Sequence, residues 1–572
     1  MFKLLKYLKT CKFETVMTPI FVLFEVACEI LIPICMGKLI DDGVKANQMD
    51  VVYMYSAVMV GLAVFALFFG VMASRFAAIL SNQLGRNIRK AQYEKIQAYS
   101  FENIDHFQTS SLITRMTLDT SMVQNAVQMN IRIAFRAPAM ILFSIISAAI
   151  IGGNLALIFV GVAPLIAFGL WFIMRGAYKY FMQMFGKMDK LNLKVQESLT
   201  GIRTVKSYVR EEYEIAEFDA VTTEVSENAK KAEKWVIFNN PIMQFCICIC
   251  FVLISWFGSY KMVFEGFTEG QFANIITYVM QVMMSLMLLS QVFLFMVISK
   301  ASVKRIREVL EEVPTLNEIA NPITKVPDGS FEFRRVVFSY DNQKDILSDI
   351  SFKAKSGSFV GIFGGTGTGK SSLIQLISRL YDVRGGEVLV GGVNVKDYKL
   401  NTLRKSVVTV LQKNVLFSGT IRDNMKWGNE HASEEEIISA LKTAQAYDFV
   451  SKMPNGLDAW IEQGGVNVSG GQRQRLCIAR ALILQPKILI MDDSTSAVDT
   501  KTDALIRKSL KDETPKMTKV VISQRLSSIE EADQIIILDS KGINAIGNHK
   551  LLYETNEIYR TVYDVQQKGS EV

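Results

Sequence analysis

Six apolar runs of membrane-crossing length lie in the first 300 residues, near 16–38, 52–74, 133–152, 154–174, 236–260 and 271–298. Crossing a hydrocarbon layer takes about 20 residues of helix, so these runs predict six transmembrane helices. The rest of the chain holds no such run and reads as a soluble α/β domain. At 572 residues the chain is too long for one domain. The pattern places a transmembrane domain at 1–305, a linker at 306–328 and a soluble domain at 329–572.

Loop charge sets the orientation. The connections after the second and fourth runs are long and basic, with Arg86, Arg89, Lys90, Lys187, Lys190 and Lys194. The others are short, "DDGVKANQMD" being acidic and "GGN" uncharged. The positive-inside rule then puts both termini, both long loops and the soluble domain in the cytoplasm of a cell membrane. The opening "MFKLLKYLKTCKFE" is basic and amphipathic without a cleavage signal, and is expected to lie on the membrane surface. The net charge of +7 falls largely in these membrane-facing parts and implies no nucleic-acid partner. Seven scattered cysteines imply no disulfide framework. Those of "CICIC" (Cys246, Cys248, Cys250) alternate about a helix by ~200° and do not converge on a metal.

In the soluble half, "GGTGTGKSS" (Gly364, Gly365, Thr366, Gly367, Thr368, Gly369, Lys370, Ser371, Ser372) has phosphate-loop spacing. It follows the apolar strand "SFVGIF" and opens the helix "SSLIQLISRLY", the context the motif requires. Glycines let successive amides turn toward a phosphate, and the helix N-terminus adds positive potential. Lys370 is expected on the β- and γ-phosphates of ATP and the Ser371 hydroxyl on Mg²⁺. "KILIM" reads as a strand buried on both faces that delivers Asp492 to the same Mg²⁺.

Between these motifs, "VNVSGGQRQRLCIARAL" resembles the signature of ATP-binding cassettes, and the resemblance extends over the whole chain. It implies that Tyr340 stacks on adenine and that Gln412 joins the metal site to the membrane domain. It implies too that Ser469, Gly470, Gly471 and Gln472 meet a γ-phosphate at a helix N-terminus. "SAVD" (Ser496 to Asp499) is similar to the family's inter-cassette loop, and the C-terminal "GNHKLLYETNEIYRTVYDVQ" to its closing helix. "SFENIDHFQTSSLITRMTLDT" and "QESLTGIRTVKSYVREEYEIAEF" resemble the cytoplasmic loops of exporter-type half-transporters. Their coupling helices are expected near Glu102–Phe107 and Tyr208–Glu212. The fold expected by resemblance is a six-helix all-α transmembrane domain, then an α/β phosphate-loop cassette with a helical subdomain.

Two positions leave the family's catalytic pattern together. Asp493 stands where a glutamate polarises the attacking water, and Gln524 where a switch histidine stands. Asp493 holds its carboxylate about one methylene further back, and a misplacement of ~1 Å can cost ~100-fold. Gln524 still hydrogen-bonds but carries no charge. The resemblance thus implies a subunit that binds ATP, cleaves it weakly and lends a sound signature to a partner half-transporter with intact glutamate and histidine. The expected activity is ATP-driven export of hydrophobic small molecules, drugs or lipids. The alternatives are a slow homodimeric exporter of lipid or peptide, or a nucleotide-gated ligand sensor that does not pump.

For the membrane path, Met280, Met283, Met284 and Met287 recur on one side of the last run, with Gln281 and Gln291 close by. Methionine suits surfaces that accommodate many shapes. Glu25 and Glu29, one turn apart in the first run, would cost ~2.5–3.5 kcal/mol each at membrane depth. They are expected to attract cationic substrates, to pair with Arg136 near the third run, or to lie close enough to the interface to stay wet.

Overall fold

The computed structural model describes residues 6–8, 11–340, 344–494, 497–539 and 542–570, with some side chains in 159–189, 290–298 and 568–570 left aside. Half of the basic N-terminal stretch, at 1–5 and 9–10, and Ser496 therefore lie outside the described residues. Two compact units emerge. One runs to Gln97 and from Phe107 to Glu312; the other holds Ala98–His106 and the described chain from Val313 onward.

The first unit is helical: α1 (Lys12–Lys38), α2 (Met49–Gln97), α3 (Phe101–Phe107, most of which belongs to the second unit), α4 (Thr109–Thr114), α5 (Thr120–Gly152), α6 (Leu157–Thr200), α7 (Ile202–Ser207), α8 (Glu211–Val236), α9 (Asn239–Phe264) and α10 (Glu269–Glu311). Among the described residues, five helical stretches are long and apolar enough to cross a membrane. The run expected at 154–174 falls on α6, several of whose side chains are outside the described set. At 49 residues α2 is about 74 Å long, more than twice a hydrocarbon layer of ~30 Å. The basic segments noted above are thus continuations of the membrane helices.

Polar side chains pin the helices where apolar packing alone leaves them free to slide. Asp41, just past α1, accepts from the Thr268 hydroxyl at 2.5 Å and the Gly270 amide at 2.9 Å, tying the end of α1 to the start of α10. Gly270 is needed there because a Cβ would lie 2.2 Å from the Gly37 carbonyl. Thr268 also caps α10 reciprocally with Gln271. At the other end of α10, Asp119 is buried and receives Arg305 Nε at 2.7 Å, Arg305 Nη2 at 2.5 Å and the Ser302 hydroxyl at 2.8 Å.

The second cytoplasmic helix differs from expectation. The helix is α7, at Ile202–Ser207, and 208–210 is a turn rather than the start of a helix. Val209 takes a φ of +52°, which a β-branched residue adopts rarely. The Arg210 amide reaches back to the Val205 carbonyl and closes the helix end.

The second unit begins with β1 (Phe331–Phe338), β2 (Leu347–Ala354), β3 (Phe359–Gly364), α11 (Lys370–Ile377), β4 (Gly385–Val390), β5 (Val393–Asn394), α12 (Leu400–Ser406) and β6 (Val407–Val410). The helical insert follows: β7 (Gly419–Thr420), α13 (Ile421–Lys426), α14 (Glu434–Thr443), α15 (Tyr447–Val450), β8 (Trp460–Ile461) and α16 (Gly470–Leu482). The chain closes with β9 (Ile488–Asp492), α17 (Thr500–Glu513), β10 (Thr518–Ile522), β11 (Gln534–Asp539), β12 (Gly542–Gly547), α18 (His549–Thr555) and α19 (Glu557–Ser570).

The main sheet has the order β12-β11-β3-β10-β9-β6, parallel except for its β12 edge, and β2-β1-β4-β5 form an antiparallel sheet. Strand β9 shows why the main sheet reads as continuous apolar runs. Ile488 and Ile490 face one core, with Val360 and Leu373, while Leu489 and Met491 face the other, with Leu476 and Ile506.

The Asp119 cluster generates a stability test. Asp119→Ala removes the acceptor of Ser302 and of the partly exposed Arg305 and is expected to cost ~1.5–3 kcal/mol, the worth of hydrogen bonds to a charged group, read as a drop in the unfolding midpoint of the detergent-solubilised protein. An unchanged midpoint would mean that this cluster does not hold α5 to α10.

Candidate nucleotide site

Strand order brings the site together. In the parallel sheet β10 lies between β3 and β9, with Ile522 level with Ile362 on one side and Asp492 on the other. The carboxyl ends of three neighbouring strands thus release the phosphate loop, the 523–526 turn and the Asp492–Asp493 pair side by side. Ligands in open α/β sheets bind at such strand ends.

Within the loop, Gly364 packs so closely on β11 that a Cβ would sit 2.3 Å from the Leu538 carbonyl. Gly369 caps α11 in the left-handed region at φ +87°. Lys370 folds back over the loop, its ammonium donating to the carbonyls of Gly364 at 2.9 Å and Gly365 at 2.6 Å. Burial lowers its pKa, opposed by the carboxylates of Asp492 and Asp493. An ammonium held over a glycine loop, beside the free amides of a helix start, fits a polyphosphate.

Asp492 is buried at the end of β9. Burial pushes its carboxyl above the usual range; a hydrogen bond with Ser371 lowers it, neighbouring Asp493 raises it and Lys370 lowers it. A buried carboxylate bonded to a serine hydroxyl is the oxygen donor set of a hard divalent cation. Gln412, the third expected metal-site residue, lies exposed in the loop after β6. No cluster of three or more acidic, histidine or cysteine side chains able to hold a metal occurs among the described residues. A cation here would therefore draw on Asp492 and Ser371, with Gln412 and the nucleotide's own oxygens.

Asp493 is half-buried with φ +45°, and its amide still donates to the Ile522 carbonyl at 3.0 Å. Aspartate enters the left-handed region far more readily than most side chains. Gln524 is exposed on the neighbouring turn, whose backbone is braced from the closing helix. The Gln566 amide of α19 donates to the Gln524 carbonyl at 2.9 Å and accepts from the Leu526 amide at 2.9 Å. Nothing local in the sequence points to Gln566; only its place in a C-terminal helix does.

The signature is built as a helix cap. Ser469 accepts from the Gln472 amide at 3.2 Å, and the Gln472 side chain accepts from the Ser469 amide at 2.9 Å. Gln472 thus holds Ser469, which stands exposed at the head of α16 with Gly470 and Gly471. A Cβ on Gly471 would lie 2.9 Å from the Ala497 carbonyl, so this helix start and the described part of the 497–499 loop pack directly. Tyr340 is 40% exposed, while its hydroxyl bonds Ser372 and Gln375, each at 3.0 Å.

In the membrane unit, Glu25 and Glu29 meet two arginines one turn apart on α5. Arg132 reaches Glu25 at 3.0 Å; Arg136 reaches Glu25 at 3.1 Å and both oxygens of Glu29 at 2.7 and 3.0 Å. Arg136 was one expected partner; Arg132, four residues earlier, mirrors the spacing of the two acids. Cavities of about 590 and 540 Å³ flank this cluster and share Ser74 and Arg132, the second also lined by Met122 and Met129. Of the expected methionines, Met283 is buried, Met287 packs against the membrane core, and Met280 is 46% exposed. Gln281 bonds Ser144 and the Glu29 carbonyl, each at 3.4 Å. In "CICIC", Cys246 and Cys250 are buried and Cys248 is exposed.

Residues 15–312 match the family described as ABC transporter transmembrane region, and residues 347–496 the family described as ABC transporter. An uncharacterized ABC transporter ATP-binding protein of Bacillus subtilis, YfiB, is 35% identical, covering 100% of this chain and 99% of its own. An ATP-dependent lipid A-core flippase of Haemophilus influenzae is 29% identical over 93% of this chain and 91% of its own. Among solved structures, a bacterial Atm1-family ABC exporter with ATP bound superposes with a TM-score of 0.87 at 22% identity, covering 97% of this chain and 99% of that one.

The exposure of Tyr340 gives a test of the adenine assignment. Tyr340→Ala is expected to weaken Mg-ATP binding about 10-fold or more, since base–aromatic stacking is worth ~1–3 kcal/mol. Tyr340→Phe is expected to retain most of it. Equal losses in titrations of the two variants would instead assign the effect to the hydroxyl.

Proposed function

We propose, starting from the fact that this chain belongs to the ABC transporter family, that it is the weakly hydrolytic subunit of a two-chain exporter. The chain is an exporter-type half-transporter with a helical membrane domain ahead of an ATP-binding cassette. The observation that carries the finer reading is the pairing of Asp493 with Gln524 beside an ordered Lys370, Ser371 and Asp492. The binding half of the site is built; the cleaving half is altered at both of its polar contributors.

Bound Mg-ATP supplies the phosphoanhydride bond whose cleavage drives export. Tyr340 stacks the base, the phosphate loop and Lys370 hold the phosphates, and Ser371 and Asp492, with Gln412, orient the cation. Asp493 is left to position water from a shorter side chain, and Gln524 contributes a neutral amide where a titratable ring would stand. Ser469, Gly470 and Gly471 serve the site completed by the partner, whose own glutamate and histidine are intact. The exposed Ser469 and Val466 beside it support that division of labour, as does the exposed tip of Tyr208 and Val209 after α7.

The transported class we favour is hydrophobic or amphiphilic small molecules, drugs or lipids, moved out across the cell membrane from a cytoplasmic cassette. The flippase among the relatives supports lipid. Glu25 and Glu29 are both engaged by arginines, which supports a path without surplus negative charge. Attraction of cations by these acids is therefore not part of the proposal.

Steady-state ATPase of the chain reconstituted alone in lipid, with native mass read on the same sample, tests the reading. Wild type is expected to bind Mg-ATP yet turn over about 100-fold more slowly than the Asp493→Glu, Gln524→His double variant. A wild-type homodimer turning over as fast as the double variant would sink the proposal and make Asp493 a working base.

A further inference from the structure

Tyr381, which none of the assigned roles uses, stands at the centre of an aromatic cluster. Its ring meets Tyr340 edge-on with centroids 5.0 Å apart and planes at 82°. Phe338 lies 5.8 Å away and Phe101, on α3, 6.2 Å. The Tyr381 hydroxyl donates to Asp105 at 2.5 Å, also on α3. Burial, with that carboxylate beside it, pushes the Tyr381 hydroxyl far above its ordinary range, so it remains a donor.

Both ends of this cluster are anchored. Behind Tyr340, its hydroxyl bonds Ser372 and Gln375 of α11, the helix that the phosphate loop opens. Beyond Tyr381, Ala98–His106 belongs to the cassette's compact unit. Buried Asn103 donates to the Val313 carbonyl at 3.1 Å, and Ser100 shares a 2.6 Å bond with Thr315. Tyr381 itself rides on a rigid turn. Arg379, buried at φ +50°, pairs with Asp382 at 2.9 Å and donates to the carbonyls of Asn317 and Lys396.

We propose that Tyr381 is a positioning residue that links nucleotide occupancy at Tyr340 to the first cytoplasmic loop of the same chain through its hydrogen bond to Asp105. A base stacked on Tyr340 fixes that ring; the edge-on contact passes the constraint to Tyr381; the short charge-assisted bond passes it to α3. The route contains neither Asp493 nor Gln524. It therefore answers to binding alone, and gives a weakly hydrolytic site a mechanical output. The inference rests on the reading of Tyr340 as the adenine-stacking residue.

Hydrogen exchange of 98–106 in the full reconstituted chain, with and without Mg-ATP, tests it beside Mg-ATP titrations. In wild type, Mg-ATP is expected to slow exchange across 98–106. Tyr381→Phe retains the ring and loses the bond. It is expected to bind Mg-ATP within about 2-fold of wild type while this protection falls about 10-fold or more, the worth of a hydrogen bond to a charged group. Asp105→Asn, which leaves the aromatic cluster intact, is expected to lower protection in the same direction. Full nucleotide-dependent protection in Tyr381→Phe overturns the relay. So does a wild-type chain that binds Mg-ATP with no change at 98–106. A chain that binds no Mg-ATP fails the nucleotide-site reading itself, and binding indifferent to Tyr340→Ala fails the adenine assignment.

Discussion

The parallel pairing of β10 between β3 and β9 is the constraint on which the cassette depends. These three strands are distant in sequence, and no local motif demands that they be neighbours. Pairing Ile522 with both Ile362 and Asp492 sets the phosphate loop, the 523–526 turn and the Asp492 carboxylate at one level. The register is held because each strand is apolar on both faces. A one-residue slip of β9 would exchange the residues facing its two cores and draw Asp492 away from Ser371.

Given that frame, the altered positions are as well supported as the intact ones. Asp493 occupies a left-handed backbone position that aspartate tolerates and glutamate enters less readily. It is thus more than a shortened glutamate, since the backbone that carries it suits the residue present. Gln524 lies on a turn clamped at both sides by the Gln566 amide. The scaffold around Asp493 and Gln524 is thus as ordered as that around Lys370 and Asp492.

Legibility followed sequence distance. The phosphate loop was readable because strand, glycine turn, lysine and helix are contiguous, and Asp492 because a run of four apolar residues ends on it. The end of α7 is not legible in the sequence because it depends on Val209 at positive φ, which composition does not signal. Arg132 was missed though its spacing from Arg136 repeats that of Glu25 and Glu29; pairing across about 107 residues leaves no local trace. The Tyr381–Asp105 bond, separated by 276 positions, and the Gln566 clamp, separated by 42, are likewise products of tertiary structure.

The membrane charges obey the same logic as the strands. A carboxylate at membrane depth costs ~2.5–3.5 kcal/mol if left alone, so two of them one turn apart on α1 demand two bases at matching height on α5. Sliding α1 by one turn would leave one acid and one arginine unpaired, which makes the ladder a register pin before it is anything else. Its charges balance in pairs, and the two cavities beside it share Ser74 and Arg132, the larger being lined by all four charged side chains of the ladder.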